Sequence, residues 1–107
     1  MSEIEAATEE LRTGMAYQVE TTIRRVSDAR ERLAAAQEAE TAAEAAERQA
    51  EASHRLGAAT RQQLTAAETA LAEARARRAQ AEAGLNVALL SHARALGLMR
   101  ALFLSRG

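Results

Sequence analysis

Two ladders of seven-residue repeats, one in each half of the chain, leave few folds open. In the second half Leu64, Leu71, Arg78, Leu85 and His92 recur at sevens, with Ala67, Ala74, Ala81, Ala88 and Ala95 between them. In the first half Val19, Val26, Leu33, Glu40 and Glu47 recur in the same way, with Ala29, Ala36, Ala43 and Ala50 in the partner slots. Two core positions per heptad give the 3.5-residue repeat of coiled-coil helices. The core this pattern can build is thin, because alanine supplies 29 of the 107 residues while Phe and Tyr occur once each and Trp not at all. Burying an alanine removes far less surface from water than burying a leucine or phenylalanine. The composition therefore favours one extended all-α unit with a narrow seam over a compact ball.

Proline is absent, so any break in the helices must come from glycine. Gly14, Gly84 and Gly97 lie inside periodic stretches, where each costs about 1 kcal/mol against alanine without having to end a helix. Gly57 is placed differently: it follows "SHRL" near the chain midpoint and precedes Thr60. That is where a glycine closing one helix before the cap of the next belongs. Ser2 with Glu5 reads as a capping box at the start, although the same pattern recurs at Thr41/Glu44, Thr60/Gln63 and Thr65/Glu68. The expectation is a single helical hairpin over residues 1–107, with helix 1 at about 3–55, a turn at about 56–60 and helix 2 at about 60–104. At ~1.5 Å per residue, ~50 residues per helix make a rod about 75 to 80 Å long.

Folding the chain back at Gly57 gives the ladders a reason. Leu33 then faces Ala81, Ala43 faces Leu71, Ala50 faces Leu64, Ala29 faces Leu85 and Val26 faces Ala88. Every layer has one large and one small residue, which fills a close antiparallel seam without voids or overpacking. A parallel homodimer would stack leucine on leucine and alanine on alanine. A slip of one heptad, moving the turn to about residue 60, is the alternative register. With the turn at Gly57, Arg78 lies over Ala36 and one layer from Glu40, so the two polar intruders become a candidate register pair. Such a pair adds little net stability but can fix the alignment of an otherwise slippery alanine seam. The competing reading is that Arg78 extends its charged head to solvent over the seam.

The chemistry-bearing residue types argue against catalysis. There is no cysteine, hence no thiol nucleophile or thiolate metal site. His54 and His92 have no second ligand at i+3 or i+4, and no Gly-rich phosphate loop, H-E-x-x-H or G-x-S-x-G occurs. The glutamates and arginines alternate as solvated helix partners. No catalytic, cofactor or metal site is expected. The net charge of −1 argues against a general polyanion binder. The densest basic run, Arg75, Arg77 and Arg78, falls opposite Glu38 and Glu40 and lacks aromatic neighbours on which bases could stack, so nucleic acid is not an expected partner.

The last stretch, "LNVALLSHARALGLMRALFLSRG", is apolar over most of its circumference. Leu85, Leu89, His92, Leu96, Met99 and Phe103 read as a continuation of the seam, with Val87, Leu90, Leu98 and Leu104 off that line. The facing N-terminal third has its own surplus of apolar side chains. The expected interaction surface comprises Ile4, Leu11, Tyr17, Ile23, Val87, Leu90, Leu98, Leu102, Phe103 and Leu104. A base of this kind needs another surface to cover it. The expected partner is the protein itself, as a homodimer or higher oligomer completing a four-helix bundle, or another helical protein. Asn86, His92, Arg94 and Arg100 argue against a membrane span, since a central arginine costs about 2.5 to 3.5 kcal/mol on the insertion scale. Peripheral membrane contact is a third option.

These features describe a non-enzymatic coiled-coil structural or adaptor protein. The acidic opening "MSEIEAATEE" is unlike a secretory signal or a transit peptide, so a cytoplasmic bacterial protein is the expectation. The expected architecture resembles the stalk proteins of bacterial export machines, antiparallel coiled coils whose two ends lie together. It is also similar in length and midpoint turn to the small secreted Trp-x-Gly hairpins, with Arg55, Leu56 and Gly57 at the motif position. These resemblances imply a stalk, a chaperone or an exported hairpin; a phage or particle component is the further alternative.

Overall fold

The computed structural model describes residues 2–104, and all regular structure among them is helical: α1 spans Glu3–Arg55 and α2 spans Arg61–Leu104. Local signals account for the ends. The Ser2 hydroxyl accepts a hydrogen bond from the Glu5 amide at 3.2 Å, and the Ser2 carbonyl accepts the first helical bond, from Ala6. One of the four orphan amides of the first turn is thereby satisfied. At the other end of α1, the Gly57 amide donates to the His54 carbonyl at 3.0 Å and the Ala58 amide to the Ser53 carbonyl at 2.8 Å. This pair of bonds, three and five residues back, is the Schellman closure, and it requires a left-handed residue between them. Gly57 supplies it at φ 75°.

The turn then hands over to a full capping box. The Thr60 amide donates to Gln63 Oε1 at 2.8 Å, and the Gln63 amide donates to Thr60 Oγ1 at 3.1 Å. His54 adds a bridge across the turn, with Nδ1 3.0 Å from the Ala59 carbonyl oxygen. A carbonyl can only accept, so Nδ1 carries the hydrogen. Of the other capping-box matches, Thr41/Glu44 and Thr65/Glu68 lie inside helices. The Thr41 hydroxyl donates instead to the Gln37 carbonyl, one turn back. Gly14, Gly84 and Gly97 also lie inside the helices, and α2 runs unbroken through Gly84.

The chain divides into two compact units, unit 1 comprising Met1–Ala29 with Gly84–Gly107 and unit 2 comprising Arg30–Ala83. Each is built from a segment of α1 and a segment of α2 running antiparallel. In unit 1, Val26, Ala29 and Ala88 form a buried cluster with Leu85 against it. Thr22 meets His92 one layer further on. In unit 2, Leu64, Leu71 and Ala74 are buried. Among the described residues no large side chain is less than 2 % exposed, which is what a two-helix seam without a second layer allows. The stabilisation is therefore spread thinly, with a buried Val or Leu worth about 1.5–3 kcal/mol and each alanine much less.

Burial corrects one sequence expectation. Leu89, Leu96 and Phe103 are not seam residues; they are 38 %, 44 % and 51 % exposed. The inner slots of those heptads belong to Ala88 and Ala95, the latter only 3 % exposed, and after them to the half-buried Leu102. Steps of four along a helix drift sideways by about 40° each, so the seam holds its line only by alternating three and four. The alanines sit where the helices come closest, and the leucines beside them stay outside.

Candidate interaction surface

With heptad positions lettered a to g, a is Leu64, Leu71, Arg78, Leu85 and His92, and d is Ala67, Ala74, Ala81, Ala88 and Ala95. On α1, a is Val19, Val26, Leu33 and Glu40, and d is Thr22, Ala29 and Ala36. In an antiparallel pair the two e positions share one flank of the seam and the two g positions share the other.

Unit 2 is charged on its e flank. Arg75 lies 4.0 Å from Glu44, both at e, and Glu68 and Glu82 fill the neighbouring e positions of α2. Within the seam, Arg78 Nη1 donates to Glu40 Oε1 at 3.2 Å and reaches Oε2 at 3.4 Å. Arg78 Nε stands 3.1 Å from Glu82 Oε1, but the N–H is not aligned on it, so the contact is ionic without being a hydrogen bond. The Glu40 side chain is 13 % exposed, so its carboxylate depends on Arg78. Snorkelling and pairing are thus combined: the Arg78 head is partly solvated and bonded to Glu40. The partner of Arg75 is Glu44, a residue beyond the Glu38 and Glu40 expected opposite the basic run. Glu38 lines an open groove on α1.

Unit 1 carries a different flank. Its α2 e positions are Leu89, Leu96 and Phe103, and on α1 the same flank holds Glu9, Ala16 and Ile23. All three α2 residues and Ile23 are exposed. A seam of a and d alone suits a two-stranded coil, whereas apolar residues at a, d and e are the pattern of a helix buried in a bundle. Arg12 sits at one end of this flank, its guanidinium carbon 5.3 Å from the centre of the Phe103 ring and its Nη1 3.7 Å from Glu9. Its Nε is buried with no hydrogen-bond partner. Inside the seam the Thr22 hydroxyl donates to the Val19 carbonyl at 2.8 Å. Its single proton is thereby committed, so it accepts from His92 Nδ1 at 3.0 Å. A buried threonine and a seam histidine thus satisfy each other.

The opposite flank of unit 1 opens into a polar cleft of about 400 Å³ lined by Tyr17, Gln18, Thr21, Thr22, Arg25, Ser91 and Arg94. Among the described residues, no group of three or more His, Asp or Glu is placed to hold a metal ion.

The residues expected to form the interaction surface fall into two groups. Ile4, Leu11, Tyr17, Ile23, Val87, Leu90, Leu98, Phe103 and Leu104 are exposed, all in unit 1. They do not share one face: Ile4, Leu11 and Leu98 lie at g, Val87 at c, Tyr17, Leu90 and Leu104 at f, and only Ile23 and Phe103 at e. Leu102 differs from the expectation, because position d turns it into the seam, where it is half-buried. Leu89 and Leu96 were missed as surface residues; the signal was their place one step after Ala88 and Ala95. Unit 2, by contrast, exposes one large apolar side chain among those described, Leu56 in the turn. α2 also contains an 18-residue window of mean hydropathy 1.4, 11 % buried, and so is long and apolar enough to cross a membrane by length and composition. Comparison with protein-family models, with curated proteins and with solved structures finds no match for this chain.

Proposed function

We propose that the protein is a non-enzymatic helical interaction module, in which unit 2 is a self-contained coiled coil and unit 1 docks on helices outside the chain. The observation that carries this reading is the exposed heptad stripe Leu89, Leu96 and Phe103, in phase with the seam. Exposed apolar residues scattered singly need no explanation, but an aligned stripe beside a seam is the face a further helix packs on. The covered form would be a four-helix bundle built either from two copies or with another helical protein. An export apparatus, an exported hairpin or a particle are settings that suit such a module. Photo-crosslinking in the native host tests it. A photoreactive residue at Leu96 should form specific adducts, and the same residue at the exposed Thr69 of unit 2 should not. Equal labelling at both positions would contradict the reading.

The hydropathy of α2 favours one second reading, contact with a lipid surface. Arg94 and Arg100 stand against full insertion, at about 2.5–3.5 kcal/mol for an arginine near the bilayer centre. Flotation with lipid vesicles separates the two: co-flotation of the wild type, lost on Leu96→Glu, supports the lipid reading, and no flotation removes it.

A further inference from the structure

We infer that the e flank of unit 1 is covered by the same flank of a second copy, reversed about a two-fold axis level with Leu96. This rests on the interaction reading above and specifies its partner.

The first argument is the symmetry of the stripe. A two-fold interface uses one patch on both copies, so the patch must be complementary to itself when reversed. Leu89, Leu96 and Phe103 are evenly spaced by seven. Reversed about its centre, the stripe sets Leu96 against Leu96 and Leu89 against Phe103. Every apolar side chain then meets another.

The second argument is space at the centre, and it comes from the other helix. Thr22 opposite His92, with Val26 and Ala29 packed with Ala88 and Leu85, places the level of Leu96 beside residues 16–18 of α1. On α1 the e positions about this level are Glu9, Ala16 and Ile23. At the centre α1 presents Ala16, small enough to let the two copies approach. The apolar centre on α2 and the small residue on α1 lie on different helices, and they fall at the same height.

The third argument is area. The stripe occupies about 20 residues of α2, or roughly 30 Å at ~1.5 Å per residue, across a helix pair about 20 Å wide. Reversed pairing would bury roughly 600 Å² per copy, about 1,200 Å² in all, which is the lower end of the range for stable interfaces. Confined to unit 1, the contact leaves the charged e flank of unit 2 in water.

The chain has no cysteine, so single cysteines report the geometry cleanly. Leu96→Cys, Leu89→Cys and Phe103→Cys are each oxidised alone, and the last two also as a mixture. The expected result is an intermolecular disulfide for Leu96→Cys alone and for the mixture, with little for Leu89→Cys or Phe103→Cys alone. In the reversed pairing, equivalent residues at those ends lie about 14 residues, or ~21 Å, apart, well beyond the ~7 Å Cα limit of a disulfide. Self-linking of Leu89→Cys and of Phe103→Cys would overturn the reversed pairing. Absence of all cross-links, with a wild type monomeric at every concentration, would overturn the second copy as partner. Adducts to a different protein from a photoreactive residue at Leu96 would in that case leave the interaction reading standing, whereas their absence would remove both. Helical circular dichroism of each variant confirms that the hairpin is folded.

Discussion

Along α2, the residue after the inner alanine of each heptad is Glu68, Arg75 and Glu82 in unit 2, and Leu89, Leu96 and Phe103 in unit 1. The seam itself does not change in kind: both units alternate larger and smaller residues, and both admit polar ones. Unit 2 holds Glu40 and Arg78, and unit 1 holds Thr22 and His92. The difference lies one position away from the seam. A charged e flank finishes a two-helix structure, because nothing apolar is left to cover. An apolar e flank leaves it open to a further layer. The flank of a helical hairpin can therefore change from charged to apolar along its length without altering the packing that holds the helices together.

Substitutions that separate seam from flank test this division, and the seam should give the largest effect. Leu71→Ala removes a buried seam leucine from unit 2 and should destabilise the chain by about 2–4 kcal/mol in chemical denaturation. Leu90→Ala, on the outward side of unit 1 at 66 % exposure, should cost less than about 0.5 kcal/mol. Equal losses would mean that the outer apolar residues of unit 1 hold the single chain together, and the comparison would collapse.

Next in size is the polar pair of unit 2. Arg78→Met strands the mostly buried Glu40 carboxylate and should cost about 1–3 kcal/mol. Adding Glu40→Met removes the stranded carboxylate, keeps a large residue in that slot of the seam and should recover most of that loss. Cysteines at Leu33 and Ala81 then show what the pair contributes to register. They should cross-link within one chain in the wild-type background and in a wider set of pairings without Arg78 and Glu40.

Two glycines make a sharper contrast. Gly57→Ala forces an L residue to φ 75° with no steric neighbour within 4 Å, so its cost is backbone strain alone, about 1–2 kcal/mol. Gly84→Ala places a methyl group in open space on a continuous helix and should stabilise by about 0.5–1 kcal/mol. Thermal melting reads both, with opposite signs. The smallest effect expected is on Glu44→Ala, whose 4.0 Å pair with the exposed Arg75 is worth no more than about 0.5 kcal/mol.

Much of this architecture was legible in the sequence because heptad repeats report helix pairing directly. The helical hairpin follows from the two ladders and from a glycine placed where only a turn would need one. Arg78 and Glu40 could be placed near each other once the ladders were folded back at Gly57. The flank was harder to read. Leu85, Leu89, Leu96 and Phe103 can be joined by steps of four and seven, and in an apolar run that line looks as continuous as the true seam. The ladder already put Ala88 and Ala95 in the seam; the exposure of Leu89, Leu96 and Phe103 is what shows that the second line faces outward. The same ambiguity hid Leu102, whose neighbours Phe103 and Leu104 are equally apolar but point outward.

The central claim is that the e flank of unit 1 makes this hairpin an interaction module whose partner is a second copy. Its most direct test writes the pattern of unit 2 onto unit 1, as Leu89→Glu, Leu96→Arg and Phe103→Glu together, and compares sedimentation with the wild type. The account predicts a wild type of twice 11.5 kDa at tens of micromolar and a variant of 11.5 kDa with undiminished helical signal. A variant that still assembles like the wild type would contradict it.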